Sequence, residues 1–178
     1  MQIINDKIEN CKLCPLSSFL REDCRPVCGI GGGNIMFITD CPRKEETILG
    51  EPITTKERHF LEKIISLDKL YITNLVKCNP INNSQERPPK KSEIKTCSKW
   101  LEEQTKEINP KVIIGAGKSV CEFFLKTNCK LDNVVGKTYT IYGSVNFIPS
   151  YSIKSLLNGS SKNIEEFKNI IRKAINCE

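Results

Sequence analysis

Cysteine stands out by number and spacing. The chain carries ten in 178 residues, and they include Cys11-x2-Cys14, Cys24-x3-Cys28, Cys78 and Cys97. Reduced thiolates are soft ligands, and four of them close together satisfy a metal ion. Two sets are open. Cys11, Cys14, Cys24 and Cys28 could close a zinc site within one short segment. Alternatively Cys11 and Cys14 could join Cys78 and Cys97, leaving Cys24 and Cys28 as small apolar residues. Cys78 also ends the run Tyr71-Ile72-Thr73-Asn74-Leu75-Val76-Lys77-Cys78-Asn79-Pro80, which delivers an amide, a base and a thiol in quick succession. Its centre suits a buried strand, and Pro80 stops it. An open parallel sheet keeps its ligand crevice at the strands' carboxyl ends, so Asn74 arrives where a polar side chain can read a substrate.

Other groups carry weaker signals. Asp40, in the turn Asp40-Cys41-Pro42-Arg43, sits at a strand end where a carboxylate can orient water or simply cap the turn. Arg87, Lys90 and Lys91 make a basic finger in the polar, proline-containing stretch 82–91, which reads as irregular and suits phosphates. His59, the single histidine, has no second ligand nearby and reads as a surface or packing residue. Gly115-Ala116-Gly117-Lys118-Ser119 looks like a phosphate loop, yet the pattern needs glycine where Val112 stands, which excludes nucleotide hydrolysis and leaves free amides for a single phosphate.

The elements that must position these groups follow from periodicity. Strands are expected at 34–39, within 71–78, at 111–114 and at 144–148, with Gly29–Gly33 a flexible lead-in. Helices are expected from Thr54 or Thr55 to about Ser66, from about Ser92 to Ile108, after Gly117, and from about Asn163 to Ile175. The stretch 134–142 reads as irregular or a hairpin, and Tyr151–Leu157 as a loop. Strands alternating with helices imply a doubly wound α/β layer around a parallel sheet, in one domain spanning 1–178.

Composition bounds the class. Twenty-seven basic against 21 acidic residues give a net charge of +6, compatible with nucleic acid. No apolar run approaches the ~20 residues of a bilayer span, and no membrane partner is expected. The amino-terminal residues have neither a basic nor an apolar leader, so the chain is expected to be intracellular, where thiols stay reduced.

Taken together, these motifs resemble the iron-sulfur branch (family 4) of the uracil-DNA glycosylase superfamily. Cys11-Lys12-Leu13-Cys14-Pro15-Leu16 compares with the family's Cys-x2-Cys-x-Leu, and Thr39–Arg43 with its Gly-Glu-Ala-Pro-Gly turn. Gly50-Glu51-Pro52-Ile53 compares with Gly-x-Pro-Phe, and Tyr71–Cys78 with Tyr-Ile-Thr-Asn-Val-Val-Lys-Cys. Pro89–Cys97 is similar to Pro-x3-Glu-Ile-x2-Cys, and Ile148-Pro149-Ser150 to the terminal His-Pro-Ser.

The resemblance implies a three-layer α/β/α fold with a central, mostly parallel four-stranded sheet. It implies a [4Fe-4S] cluster on Cys11, Cys14, Cys78 and Cys97 with a structural role, the alternative cofactor being zinc. DNA is the implied partner, together with replication or repair proteins. Arg87, Lys90, Lys91, Ser150, Tyr151, Ile153 and Lys154 are the implied DNA contacts, Tyr151 and Ile153 as wedges for the vacated base stack or as loop anchors. Asn74 would read a flipped base and Asp40 would handle water. The stacking Phe is Ile53 here and the charge-stabilising His is Ile148. The expected function is therefore an iron-sulfur DNA-binding protein of repair or replication with reduced or lost uracil excision. The alternatives are an active glycosylase for uracil or another base, with Asp40, Asn146 or Ser150 shifting specificity, and a zinc-binding DNA-interaction module.

Overall fold

A computed structural model describes residues 1–19, 25–82, 85–159 and 161–177. The strands are β1 (Ile30–Gly31), β2 (Ile35–Thr39), β3 (Leu70–Asn74), β4 (Ile81–Asn82), β5 (Gln85–Glu86), β6 (Val112–Ala116), β7 (Tyr139–Ile141) and β8 (Val145–Ser150). The helices are α1 (Gln2–Glu9), α2 (Lys44–Leu49), α3 (Thr55–Glu62), α4 (Lys91–Ile108), α5 (Lys118–Leu125), α6 (Ile153–Leu157) and α7 (Ser161–Asn176).

Side-chain alternation builds the layers. Ile35 and Phe37 of β2, with Leu70, Ile72, Val112, Ile114 and Ile148, form one buried cluster with Leu61 of α3, Ile153 and Leu156 of α6, and Phe167, Ile170, Ile171 and Ala174 of α7. Met36 and Ile38, with Tyr71, Ile113 and Phe147, form a second with Leu101 of α4 and Val120, Cys121 and Phe124 of α5. The four strands β3-β2-β6-β8 are parallel, as the alternation of strands and helices requires. Antiparallel β1 and β7 close the edges, so the sheet has six strands around the expected four. The result is the three-layer α/β/α arrangement.

A third cluster lies outside these layers, where Ile8 of α1 and Leu16 pack with Cys28, Val76, Cys78, Cys97 and Trp100, and Cys11, Cys14 and Cys41 rest against it. Among the described residues no helix is long and apolar enough to cross a membrane.

Several local expectations are corrected. The glycine run is not a flexible lead-in: Ile30 and Gly31 pair with Ile72 and Tyr71, and a Cβ on Gly33 would stand 1.9 Å from the Lys69 carbonyl carbon, so close backbone approach explains that glycine. The stretch read as irregular contains the hairpin β4–β5, pinned because Glu86 accepts from the Lys44 backbone N–H at 2.8 Å and from Asn79 Nδ2 at 3.2 Å. Residues 151–157 contain α6, which starts where Ser152 caps the Ser155 N–H and which buries Ile153 and Leu156. Helix α3 ends at Glu62, short of Ser66, and Thr54 is its cap, in a capping box with Glu57. Helices α1 and α2 were not expected.

Candidate active cleft and cysteine centre

A cleft of about 950 Å³ opens at the carboxyl ends of the parallel strands, where an open α/β sheet keeps its ligand site. Thr39 and Asp40 line it at the end of β2, and the backbone behind them is fixed. The Leu75 N–H donates to the Thr39 carbonyl at 2.8 Å and the Val76 N–H to the Asp40 carbonyl at 3.0 Å, which laces the turn after β3 onto the turn after β2.

Asp40 faces the start of α5. Its carboxylate accepts the backbone N–H of Val120, and a Cβ on Gly117 (φ +104°) would come within 2.9 Å of Oδ1, so glycine is required there on both counts. Burial is the main effect on the acid and pushes it up to about 6, with Glu122 adding to the rise and the Val120 N–H opposing it. Oδ1 is buried with no hydrogen-bond partner among the described residues. The amides expected to bind a single phosphate thus face a protein carboxylate, which opposes a second anion.

Asn74 is wholly buried, one layer behind the cleft wall. Its Nδ2 donates to Thr39 Oγ1 at 2.5 Å and to the Pro52 carbonyl at 3.1 Å. The Pro52 oxygen can only accept, so the orientation of the amide is fixed. Both N–H groups are spent on the protein and Oδ1 is left buried without a partner. Ile53 and Ile148, where the family would offer a stacking ring and a donor, are 1% and 0% exposed and belong to one apolar cluster.

Sequence reasoning missed the wall beside Asp40. Arg43 donates through Nη2 to Glu46 at 3.0 Å and to Glu57 at 2.8 Å, while Glu57 also accepts from the Thr54 N–H at 3.0 Å. Two carboxylates thus hold one guanidinium at the cleft. The capping-box spacing Thr54-x2-Glu57 was readable, but the Arg43 contact needed the fold.

The residues expected to touch DNA fall into two groups. Lys91 and Lys154 line the cleft and are exposed, as is Lys90 at the start of α4; Lys95 and Lys118, which were not anticipated, line it too. Arg87 is no free finger: it grips Glu93 with Nη1 at 2.9 Å and Nη2 at 2.5 Å and also donates to the Pro88 carbonyl at 3.0 Å. Ser150 is wholly buried and donates to the Tyr151 carbonyl at 3.2 Å. Ile153, 2% exposed, is an anchor of α6 in the core and not a wedge. Tyr151 is half-buried, packs on the same core and donates its hydroxyl to Asp132 at 3.0 Å, which also makes it an anchor.

Around the cysteines, the fold brings the distant pairs together. Cys78 and Cys97 are buried in the third cluster with Cys11 and Cys14 against it. Burial raises the Cys78 thiol, and the charges of Cys97, Cys14 and Cys11 raise it further; Cys97 is raised in the same way, though Lys77 pulls it down. Trp100 donates Nε1–H to Cys11 Sγ at 3.2 Å, and the Lys77 backbone N–H to Cys97 Sγ at 3.3 Å.

Two buried thiols whose ionisation is opposed, with two more packed against the same apolar cluster, are a donor set that suits a shared cationic centre, which removes that opposition. Cys28 behaves differently. Its sulfur reaches the Asn5 carbonyl at 3.5 Å, and its charged neighbours are Glu9, Lys77, Arg25 and Asp6, with no cysteine among them. Cys24 lies outside the described residues. No group of three or more His, Cys, Asp and Glu side chains among the described residues forms a cage for a single ion, so the cysteines share a face without closing on one point.

Between this centre and Asn74 lies Lys77, 1% exposed. Its Nζ donates to Thr73 Oγ1 at 2.7 Å, to the Asn74 carbonyl at 2.6 Å and to Gln104 Oε1 at 2.7 Å. Burial pulls the ammonium down to about 8, with Cys97 and Cys28 opposing that fall.

Comparison with known proteins agrees with this geometry. The family model for the uracil DNA glycosylase superfamily matches residues 27–175. The type-4 uracil-DNA glycosylase of Saccharolobus solfataricus is 36% identical over 164 residues, covering 85% of this chain and 74% of the relative. That of Thermotoga maritima is 29% identical over 191 aligned positions, covering 97% and 95%, and that of Sulfurisphaera tokodaii is 30% identical over 191, covering 98% and 85%. A parallel sheet with a cleft at its carboxyl edge, an amide and a carboxylate on adjacent strand ends and this breadth of similarity have one reading: the chain belongs to the uracil DNA glycosylase superfamily, on its type-4 side.

Proposed function

We propose that this chain is an iron-sulfur DNA-binding protein of repair or replication whose uracil excision is weak or lost. Cys11, Cys14, Cys78 and Cys97 would hold the cluster, which supplies a covalent tie between the amino-terminal segment, the end of β3 and α4. The exposed lysines that line the cleft, Lys91, Lys95, Lys118 and Lys154, with exposed Lys90 next to Lys91 at the start of α4, would take phosphates.

The observation that carries the reading is the state of Asn74. Cleaving an N-glycosidic bond builds negative charge on the leaving base, so donors aimed at that base matter most. Asn74 has spent both N–H groups on Thr39 and Pro52, and Ile148 provides no donor at all. Losing one such donor typically costs about a hundred- to a thousandfold in rate. Losing an aromatic stack, as at Ile53, costs about 1–3 kcal/mol per base. Asp40 remains beside the cleft as the carboxylate able to orient water, which keeps slow excision chemically open.

The test incubates cluster-loaded protein with single- and double-stranded oligonucleotides containing uracil, followed by alkali. DNA should bind with an affinity that falls as salt rises, and strand scission should run at least about a hundredfold below that of the Thermotoga maritima enzyme. Scission at the relative's rate, abolished by Asn74→Ala, would overturn the reading in favour of an active glycosylase.

A further inference from the structure

We propose that the Lys77 ammonium is the counter-charge of the cysteine centre and ties that centre to the strand end that presents Asn74. This rests on the iron-sulfur reading above.

An ammonium has three hydrogens, and at Lys77 all three go to neutral oxygens: the Thr73 hydroxyl, the Asn74 carbonyl and the Gln104 amide, at 2.6 to 2.7 Å. Among the described residues no carboxylate pairs with it. A wholly buried cation satisfied only by neutral acceptors lacks the opposite charge that normally offsets its desolvation.

The anions on hand are the thiolates. The peptide N–H of Lys77 bonds Cys97 Sγ at 3.3 Å, and the next residue is Cys78. A [4Fe-4S]²⁺ core on four thiolates carries a net charge of about −2, which is the missing partner.

The surroundings are arranged for this charge. Helix α4 presents Cys97, Trp100, Leu101 and Gln104 on one buried stripe, so the helix that supplies a thiolate also supplies an acceptor to the ammonium. Gln104 Oε1 takes hydrogens from both Thr73 Oγ1, at 3.0 Å, and Lys77, while its own Nε2 is buried with no partner. Its amide thus turns its oxygen inward at the cost of its donors. On the other side the same ammonium holds the backbone carbonyl of Asn74, the residue whose side-chain amide is pinned to Thr39 and Pro52.

The experiment uses the full chain, purified anaerobically. Iron and acid-labile sulfide are measured first, then the midpoint for one-electron reduction by an external mediator. Lys77→Met removes the positive charge, and Gln104→Glu adds a negative one at nearly constant shape. Both disfavour the more negative reduced cluster, and each should lower the equilibrium constant for reduction about tenfold or more, 59 mV for one electron. Thr73→Val removes a hydrogen bond without changing charge and should leave the midpoint in place. If Lys77→Met does not fold, Gln104→Glu carries the test.

A midpoint in the charge-changing variants equal to that of Thr73→Val overturns the role of Lys77 while leaving the cluster standing. Wild-type protein without iron and sulfide overturns both.

Discussion

Asp40→Asn separates stability from chemistry. In the fold the Asp40 acid sits at about 6, against 3.8 for the free side chain, and burial is the main cause. Between those values the folded chain keeps a proton that the unfolded chain has released, so stability falls as pH rises from about 4 to about 6 and the full cost is in place above that. At 1.36 kcal/mol per pKa unit the ceiling is about 3 kcal/mol at pH 7.5, and roughly half of it is present at pH 5. Water at the cleft mouth screens part of it.

Asparagine keeps an oxygen to accept the Val120 N–H but cannot ionise, so it removes this cost and the repulsion from Glu122. Urea midpoints of the two proteins, measured anaerobically at pH 5.0 and 7.5, should show the variant more stable at both, with the larger gap at pH 7.5. If Asp40 orients water, the same change abolishes residual excision, and wild-type excision rises with pH through about 6. A variant less stable than wild type at pH 7.5, or a gap indifferent to pH, refutes the reasoning about the buried carboxylate.

Arg87→Ala should lower the thermal midpoint by an amount equivalent to about 1–2 kcal/mol, because it strands Glu93, whose side chain is 11% exposed, without its ion pair. Its effect on the salt dependence of DNA binding should be small. Replacing Lys90 and Lys91 together with alanine should do the reverse, reducing the slope of log K against log salt by about 1.8 with stability held within about 0.5 kcal/mol, as read by anisotropy titrations and melting curves. Ile148→His should cost about 1–3 kcal/mol, since the side chain it replaces is wholly buried among apolar groups, and should not restore uracil excision in the oligonucleotide assay. Trp100 is the chain's one tryptophan and touches Cys11, so chelating the iron should raise its fluorescence; an unchanged spectrum on loss of iron would place the cluster elsewhere.

What could be read from the sequence was set by short-range physics. Ile35–Thr39 and Val112–Ala116 announce strands because every position is apolar or small, and α7 announces itself by Phe167, Ile170, Ile171 and Ala174 recurring on one face. Helix α6 was hidden because five residues carry too little periodicity, and its Ser152 cap resembles loop chemistry. The edge strand at Ile30–Gly31 was hidden because its pairing with β3 is a long-range event and its glycines read locally as slack.

The candidate site divides the same way. The positions of Asp40 and Asn74 at strand ends were legible, because each closes an apolar run that reads as a buried strand. The Arg43–Glu46–Glu57 bridge, the Arg87–Glu93 pair and the spent amide of Asn74 were not, because each depends on which partner the fold brings within 3 Å or so.

On the proposed reading, the same division explains how a superfamily fold can stand while its base pocket changes. Ile53 and Ile148 stand at the positions that the resemblance gives to a ring and an imidazole, yet both contribute to the cluster that seats α3, α6 and α7 on the sheet. Burying an isoleucine side chain is worth about 1.5–3 kcal/mol, whereas a buried polar group without a partner costs a comparable amount. Once no donor is required at that wall, apolar residues there strengthen the sheet's packing. The cysteine centre and Lys77 sit on the opposite flank, outside that cluster, so this gain leaves the proposed cluster and the cleft's lysines intact. On the proposed reading such a chain holds DNA and cuts it slowly, and Ile148→His, which puts a polar ring into that core, should cost stability without returning excision.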